Sequence, residues 1–387
     1  MKNECNDKIK VLQINKFYAP WVGGVERVVQ NIAEGLNDKS DMKVLVCQSE
    51  GRAEETTVNS IRVIRSSTLG ILYSMPVSFD FIFKLWNLSR QHDILLFHTP
   101  FPLADLACLF SGYKGKVVVW WHSDIISQRR LLRVIKPILE WFLRRADVIV
   151  AATQAHIDNS NFLGPYKDKC MVIPFGLKFS DYEQVDIANY LMDKLFNKQN
   201  KRLLFVGRLV YYKGVEVIIQ AMRTVRGAEL FIAGSGVLEG ELKARVEMEG
   251  LKEKIHFLGY LPFEDLKAAY ADCDIFVFPS NANVEAFGLA QMEAMFYGKP
   301  VVNTNLPTGV PLVSVDGKTG LTVPVNDADA LSRAIQRLID DDELRLRLGA
   351  NARQRVYEEY SFDRMMDKVY ELCEALVNHG STKPPVS

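Results

Sequence analysis

Short apolar runs alternate with amphipathic stretches along the whole chain. Ile9–Asn15, Met42–Gln48, Asp93–Thr99, Val117–His122, Asp147–Thr153 and Cys170–Phe175 have the length and β-branched content of strands. Between them Gly24–Asn37, Pro76–Gln91, Leu103–Ser111, Pro137–Arg145 and Gln154–Leu163 read as helices, and residues 50–68 as an extra hairpin or irregular insert. The alternation restarts with strands Arg202–Gly207, Ala228–Gly234, Ile255–Gly259, Asp274–Ser280, Pro300–Asn305 and Gly320–Val325. Their helices are Lys213–Arg223, Leu238–Glu249, Phe263–Tyr270, Gly288–Tyr297 and Asp329–Asp340, followed by Asp341–Tyr360 and Ser361–Asn378. Strand–helix alternation of this kind predicts an α/β chain with two doubly wound, Rossmann-like parallel sheets. Residues 1–176 form the first domain, 177–200 a polar linker, and 201–360 the second domain. The segment 361–379 is a terminal helix, and 380–387 a disordered tail. Open parallel sheets bind ligands beyond the C-terminal ends of their strands, so a central cleft faced by both sheets is the expected site.

Composition narrows the classes. With 47 basic and 47 acidic residues the chain has no net charge, and no nucleic-acid partner is expected. Residues 1–176 hold 22 Lys and Arg against 17 Asp and Glu, leaving 25 against 30 for the rest. The six cysteines are scattered without a C-x-x-C pair, as reduced, mostly buried thiols of a cytoplasmic protein. The N-terminus lacks the apolar core of a signal peptide, and no run approaches the ~20 apolar residues of a spanning helix.

Candidate chemistry sits after the strands. Gly23-Gly24 precede a helix with Glu26 in its first turn; they suit either ligand approach to a helix N-terminus or a plain helix entry. After the first strand of the second half, G-R-L-V-Y-Y-K-G places Arg208 and Lys213 beside a helix start, where the two cations match a diphosphate without a metal. Ala233–Gly240 nearly matches a dinucleotide glycine pattern, but its last spacing is one residue too long and the acid expected after the next strand is missing. Asp272-Cys-Asp274 lies at a strand start and Asp327-Ala-Asp329 before a helix; both read as turn and cap chemistry, and no metal is predicted. His122, and secondarily His98, end apolar strands on the cleft side. Arg129–Arg145 carries six basic residues against one acid, with Trp141 and Phe142 interleaved; a contact with anionic lipid and a core-facing helix with a solvated basic face both remain open, and Pro137 is expected to begin its helix. Glu285 and Glu293 flank Phe287-Gly288-Leu289 at a strand–loop–helix junction, spaced to hold two parts of one ligand around unpaired N–H groups.

In combination, G-G before the first helix, G-R-x-x-x-x-K opening the second half and E-x-F-G-L-x-x-x-E resemble a family 4 retaining glycosyltransferase of the GT-B fold, over nearly the whole chain. Tyr360-Ser-Phe-Asp-Arg is similar to the family's closing segment, where the last helix crosses back to the first domain. Gly176-Leu-Lys178 departs from the resemblance, since relatives often carry Asp at the third position. The resemblance implies that Arg208 and Lys213 hold the donor diphosphate and that Gly23 and Gly24 approach its phosphates. It implies that Glu285 contacts the transferred sugar beside the N–H groups of Phe287, Gly288 and Leu289, and that Glu293 takes the ribose hydroxyls. The stretch His256–Leu261, with Gly259 and Tyr260, would line the base; His122 would touch the donor sugar. No cofactor or metal is implied, and no protein base beyond the weak candidate Asp124. The whole-chain likeness leans toward bacterial surface-polysaccharide mannosyl- or rhamnosyl-type transferases. The implied donor is GDP-mannose, then a UDP-sugar; the implied acceptor is a glycan or lipid-linked glycan at the inner membrane face, reached peripherally through 129–145. Competing readings are a nucleotide-sugar epimerase or hydrolase on this fold, a non-catalytic sugar-nucleotide-binding protein and, behind both, a dehydrogenase.

Overall fold

The computed structural model describes residues 8–21, 23–72, 75–124, 129–185 and 199–378, with the side chains of 129–134 left out. Cys5, most of the polar linker and the tail 380–387 lie outside the described residues. The chain divides into two compact units, Met1–Pro174 with Arg364–Ser387, and Phe175–Asp363.

The first unit contains β1 (Ile9–Ile14), β2 (Ser40–Cys47), β3 (Glu54–Val58), β4 (Ile61–Ser66), β5 (Gly70–Leu72), β6 (Met75–Val77), β7 (Ile94–Thr99), β8 (Lys116–Trp121), β9 (Val148–Ala151) and β10 (Cys170–Val172). Eight of these strands form one sheet in the order β10-β9-β8-β7-β1-β2-β4-β3. All neighbours run parallel except β3, which pairs antiparallel with β4 and makes the predicted insert a hairpin on the sheet edge. Runs such as Val117–Trp121 and Val148–Ala151 are buried, as strands covered on both faces must be. Helices Phe79–Ser89, Pro102–Ser111 and Arg129–Arg145 pack in series.

Two expected helix starts are corrected. The helix expected from Pro76 begins at Phe79, because Met75–Val77 pairs with Gly70–Leu72 as a separate hairpin and Ser78 caps the helix by accepting from Phe81 N–H. Pro137 lies inside the helix Arg129–Arg145 rather than at its first position; it is exposed, so its ring faces away from the core.

The second unit contains β11 (Lys201–Val206), β12 (Ala228–Ala233), β13 (Ile255–Gly259), β14 (Ile275–Phe278), β15 (Val301–Thr304) and β16 (Gly320–Val323), all parallel, in the order β13-β12-β11-β14-β15-β16. The strand order reverses between β11 and β14, and between β1 and β7 in the first unit. A crevice opens at such a switch point, so the loops following these four strands are the ones placed for a ligand. Residues 175–185 also pack within this unit: Phe175 meets the Phe287 ring at 5.1 Å, and Leu177 N–H donates to Tyr360 C=O at 2.8 Å. The last helix, Phe362–Asn378, buries Met365, Val369, Leu372 and Leu376. Lys39 reaches its Asp367 at 3.2 Å.

Candidate functional site

The second unit brings three predicted residues together at its switch point. After β11 the chain turns through Gly207 and Arg208 into a 3-10 turn, Tyr211–Lys213, before the helix Val215–Ala221. After β14 it runs through Pro279 and Ser280 to Glu285, then to Gly288 and the helix Leu289–Phe296. Asn281 N–H donates to Tyr212 C=O at 2.9 Å and ties the two loops together. Across this tie Lys213 Nζ lies 2.5 Å from Glu285 Oε2, the two side chains being 13% and 11% exposed. Ser280 Oγ donates to the same carboxylate oxygen at 3.1 Å, and the Lys213 ammonium stands 5.0 Å from the Phe278 ring centroid. Arg208 donates to Tyr212 Oη at 2.8 Å.

Gly288 caps the helix Leu289–Phe296 with φ 83°, and a Cβ there would press on the Phe278 ring. Only glycine takes this position without strain, and it leaves the first N–H groups of the helix at the loop that carries Glu285. Phe287 itself is buried between the Phe175 and Tyr360 rings, so its main chain, not its side chain, is at the loop.

Glu293 is more deeply buried than Glu285. It is 6% exposed and accepts hydrogen bonds at 2.8 Å from both Tyr182 Oη and Tyr270 Oη. His256 does not belong to a base-lining loop: it lies within β13, where its Nε2 meets Glu229 Oε2 at 2.8 Å, and the loop proper begins at Gly259. Tyr260, the next residue, is 68% exposed. The near-dinucleotide glycines are explained by backbone packing. Gly234, at φ 132°, and Gly236 lie against the carbonyls of Gly207 and Leu209, where any Cβ would collide, while Leu209 N–H donates to Ser235 C=O at 2.9 Å. The glycine loop therefore buttresses the Arg208 loop.

In the first unit, Gly23 precedes the helix Gly24–Leu36 in extended conformation, and the Glu26 carboxylate folds back against it, placing a negative charge at that N-terminus. At the ends of β7 and β8, His98 Nδ1 lies 2.9 Å from His122 Nε2, and His98 Nε2 lies 2.9 Å from Gln13 Oε1. Gln13 Nε2 donates to Val29 C=O at 3.3 Å, which fixes the amide orientation. Burial holds both imidazoles uncharged: His98 well below its ordinary value, and His122 pushed down to about 3 by burial and then by His156. The chain of contacts then assigns the protons. Gln13 Oε1 only accepts, so His98 carries its proton on Nε2. His98 Nδ1 is therefore the acceptor for His122 Nε2–H, and His122 Nδ1 carries a lone pair.

Asp124 is committed elsewhere. Its carboxylate accepts from Trp121 Nε1 at 3.0 Å, Ser160 Oγ at 2.6 Å, and Asn161 N and Nδ2 at 2.8 and 3.2 Å. It ties the loop after β8 to the loop after the helix Gln154–Asn159, an arrangement that leaves it poorly placed as a base. The lipid-facing reading of 129–145 loses its aromatic half: Phe142 is buried against Phe97 at 5.0 Å, and Trp141 packs on the same core. The side chains of Arg129, Arg130 and Arg133 lie outside the described residues. Tyr212, Ser280, Tyr182, Tyr270 and Gln13 complete the two sites and were not expected. Among the described residues no group of three or more His, Cys, Asp and Glu is placed to hold a metal ion.

Two parallel-sheet α/β units with these switch-point loops define the GT-B fold, and solved structures agree. Sucrose-phosphate synthase from Thermosynechococcus elongatus superposes with a TM-score of 0.81 at 20% identity, covering 97% of this chain and 100% of that one. Anabaena Alr3699/HepE in complex with UDP and glucose gives 0.79 at 21% identity, covering 95% and 100%. The model for Glycosyltransferase Family 4 matches residues 22–179, and that for Glycosyl transferases group 1 matches residues 186–355. O-antigen chain mannosyltransferase C of Escherichia coli is 30% identical over 380 residues, covering 96% of this chain and all of that protein. D-rhamnosyltransferase WbpZ of Pseudomonas aeruginosa is 32% identical over 350 residues, covering 90% and 91%. The chain belongs to the family 4 glycosyltransferases of the GT-B fold.

Proposed function

We propose that this glycosyltransferase moves a hexosyl group, mannose first, from a nucleotide diphosphate donor to a glycan or lipid-linked glycan, with retention and without a metal ion. The observation that carries it is the Lys213–Glu285 pair beside Arg208 and the Gly288 helix start. An arriving diphosphate would draw Lys213 from the carboxylate, and two cations plus a helix N-terminus would stabilise charge where the leaving group develops it. Glu285, so released, would accept from sugar hydroxyls. In the reaction the bond from the anomeric carbon to the diphosphate oxygen breaks. A bond from that carbon to the acceptor oxygen forms on the same face, and the leaving phosphate takes the acceptor proton. The mannosyl- and rhamnosyltransferase relatives support the sugar class, and the UDP complex of HepE keeps UDP-sugars in the comparison.

Glu293 is assigned to the ribose, its carboxylate held in place by the Tyr182 and Tyr270 hydroxyls. Gly259 and Tyr260 are assigned to the base, Gly23 and Gly24 to the donor phosphates and His122 to the donor sugar. The deciding experiment is a thermal-shift panel of GDP-, UDP- and dTDP-sugars, followed by transfer in the presence of a chelator with the product anomer read by NMR. Stabilisation by GDP-mannose and an α-linked product are expected. An inverted anomer, or activity lost with the chelator and restored by a divalent ion, would refute retention or metal independence respectively.

A further inference from the structure

We propose that the outer face of helices Phe79–Ser89 and Pro102–Ser111, with the β5–β6 hairpin, is a docking surface for an anionic lipid bilayer. A helix covering a sheet normally turns polar side chains to solvent. The helix Phe79–Ser89 instead exposes Phe79, Phe83 and Trp86 on one stripe, at 74%, 66% and 42%. The Phe83 and Trp86 rings stack at 6.0 Å. Phe110, on the helix packed against it, and Leu72, on the hairpin, are exposed as well. Nine of the eighteen large apolar side chains exposed among the described residues fall between positions 69 and 110, a concentration scattered surface apolars do not produce.

Charge selects the occupant. The hairpin segment 68–77 carries no charged residue. Asp80 is taken by Lys84 at 3.1 Å and by Ser67 N–H at 2.8 Å, and Asp105 is buried. At the far end of the stripe the Arg90 guanidinium lies 3.8 Å from the Trp86 ring centroid, and Lys114 follows the second helix; neither has a carboxylate partner among the described residues. The next helix in the series, Arg129–Arg145, has six Lys and Arg against one Glu. An aromatic stripe edged by unneutralised cations repels a second copy of itself, whereas an anionic membrane surface satisfies both halves. This inference is independent of the donor and acceptor assignments.

Co-sedimentation of the full chain with vesicles of phosphatidylcholine, alone or mixed with phosphatidylglycerol, tests it. The wild-type chain is expected to pellet with the mixed vesicles and to be released by salt. Phe83→Glu with Trp86→Glu should lower the bound fraction roughly tenfold or more. Arg90→Glu with Lys114→Glu should reduce binding to the level seen with phosphatidylcholine alone. These side chains are exposed, so unchanged unfolding midpoints check that the variants fold. Wild-type chain left in the supernatant with both vesicle types, or Phe83→Glu/Trp86→Glu pelleting like wild type, overturns the proposal. So does equal binding to phosphatidylcholine alone, or a wild-type dimer without vesicle affinity that the same variant splits.

Discussion

Lys213 Nζ stands 2.5 Å from Glu285 Oε2 and joins the loop after β11 to the loop after β14. Each group neutralises the other in a largely dry setting, so deleting either leaves an unpaired charge near the surface of the core. Lys213→Ala should lower transfer about a hundredfold or more, since it removes charge stabilisation from the leaving group. Lys213→Ala combined with Glu285→Gln should be more stable to urea than the sum of the single variants indicates, because the two residues share one interaction. Near-normal kcat/KM in Lys213→Ala would sink the phosphate assignment.

The fold was legible because its strands are short, apolar and regularly spaced: Val117–His122 and Asp147–Thr153 could be read directly. The hairpin β5–β6 was missed because Pro76 resembles a helix start, and the strand Met75–Val77 is only three residues long. The placement of Arg208, Lys213 and Glu285 on loops after strands was legible because the strands that precede them were. Tyr182 and Tyr270 were not, because nothing local marks a tyrosine whose hydroxyl meets Glu293 from far along the chain. Gln13 was hidden for the same reason: its amide faces His98 from the neighbouring strand. That Trp141 and Phe142 of 129–145 pack on the core was not legible, since periodicity alone does not tell which face of a basic helix meets it.

The Gln13–His98–His122 chain makes a spectroscopic prediction. Both imidazoles should appear in ¹⁵N NMR as the Nε2–H tautomer and remain so from neutral into mildly acidic solution. Gln13→Glu would place a carboxylate beside His98 and favour its doubly protonated form. His98 Nδ1–H would then require a lone pair on His122 Nε2, shifting the His122 proton to Nδ1. Transfer should fall in Gln13→Glu if His122 receives a sugar hydroxyl. A mixture of tautomers in the wild-type chain would contradict the proton assignment.

Acid stability should depend on buried histidines. His98, His122 and His156 are all held below their ordinary 6.5 by burial. Below that value the unfolded chain binds protons that the folded chain refuses, so stability falls as pH falls, by up to about 1.4 kcal/mol per pH unit for each histidine. His156→Gln, which removes one of these groups, should flatten the slope of unfolding free energy against pH. An unchanged slope would show that His156 is charged in the folded state.

Asp105 has the opposite sign. Burial alone raises its carboxyl well above 3.8, and its Oδ1 lacks a partner among the described residues. The folded chain keeps a proton that the unfolded chain loses above 3.8, so this residue costs stability as pH rises. Asp105→Asn should raise the unfolding midpoint near neutral pH and change it little below the ordinary carboxyl value. Equal effects at both pH values would mean that packing, not ionisation, governs the site.

The three glycines Gly234, Gly236 and Gly240 should separate by role. The first two hold the loop from Gly207 to Lys213 through backbone contact, whereas Gly240 opens onto empty space in the first turn of the helix Glu239–Met248. Gly234→Ala and Gly236→Ala should each cost about 2 kcal/mol or more in urea unfolding, because carbonyl and Cβ would overlap. They should also reduce stabilisation by a nucleotide sugar, since the displaced loop carries Arg208 and Lys213. Gly240→Ala should instead stabilise by up to about 1 kcal/mol, as alanine restricts the unfolded chain and favours the helix. If the three substitutions had equal effects, or if Gly234→Ala lost stability but kept the full ligand-induced shift, the glycine loop would not be the support of the cations proposed to hold the phosphates.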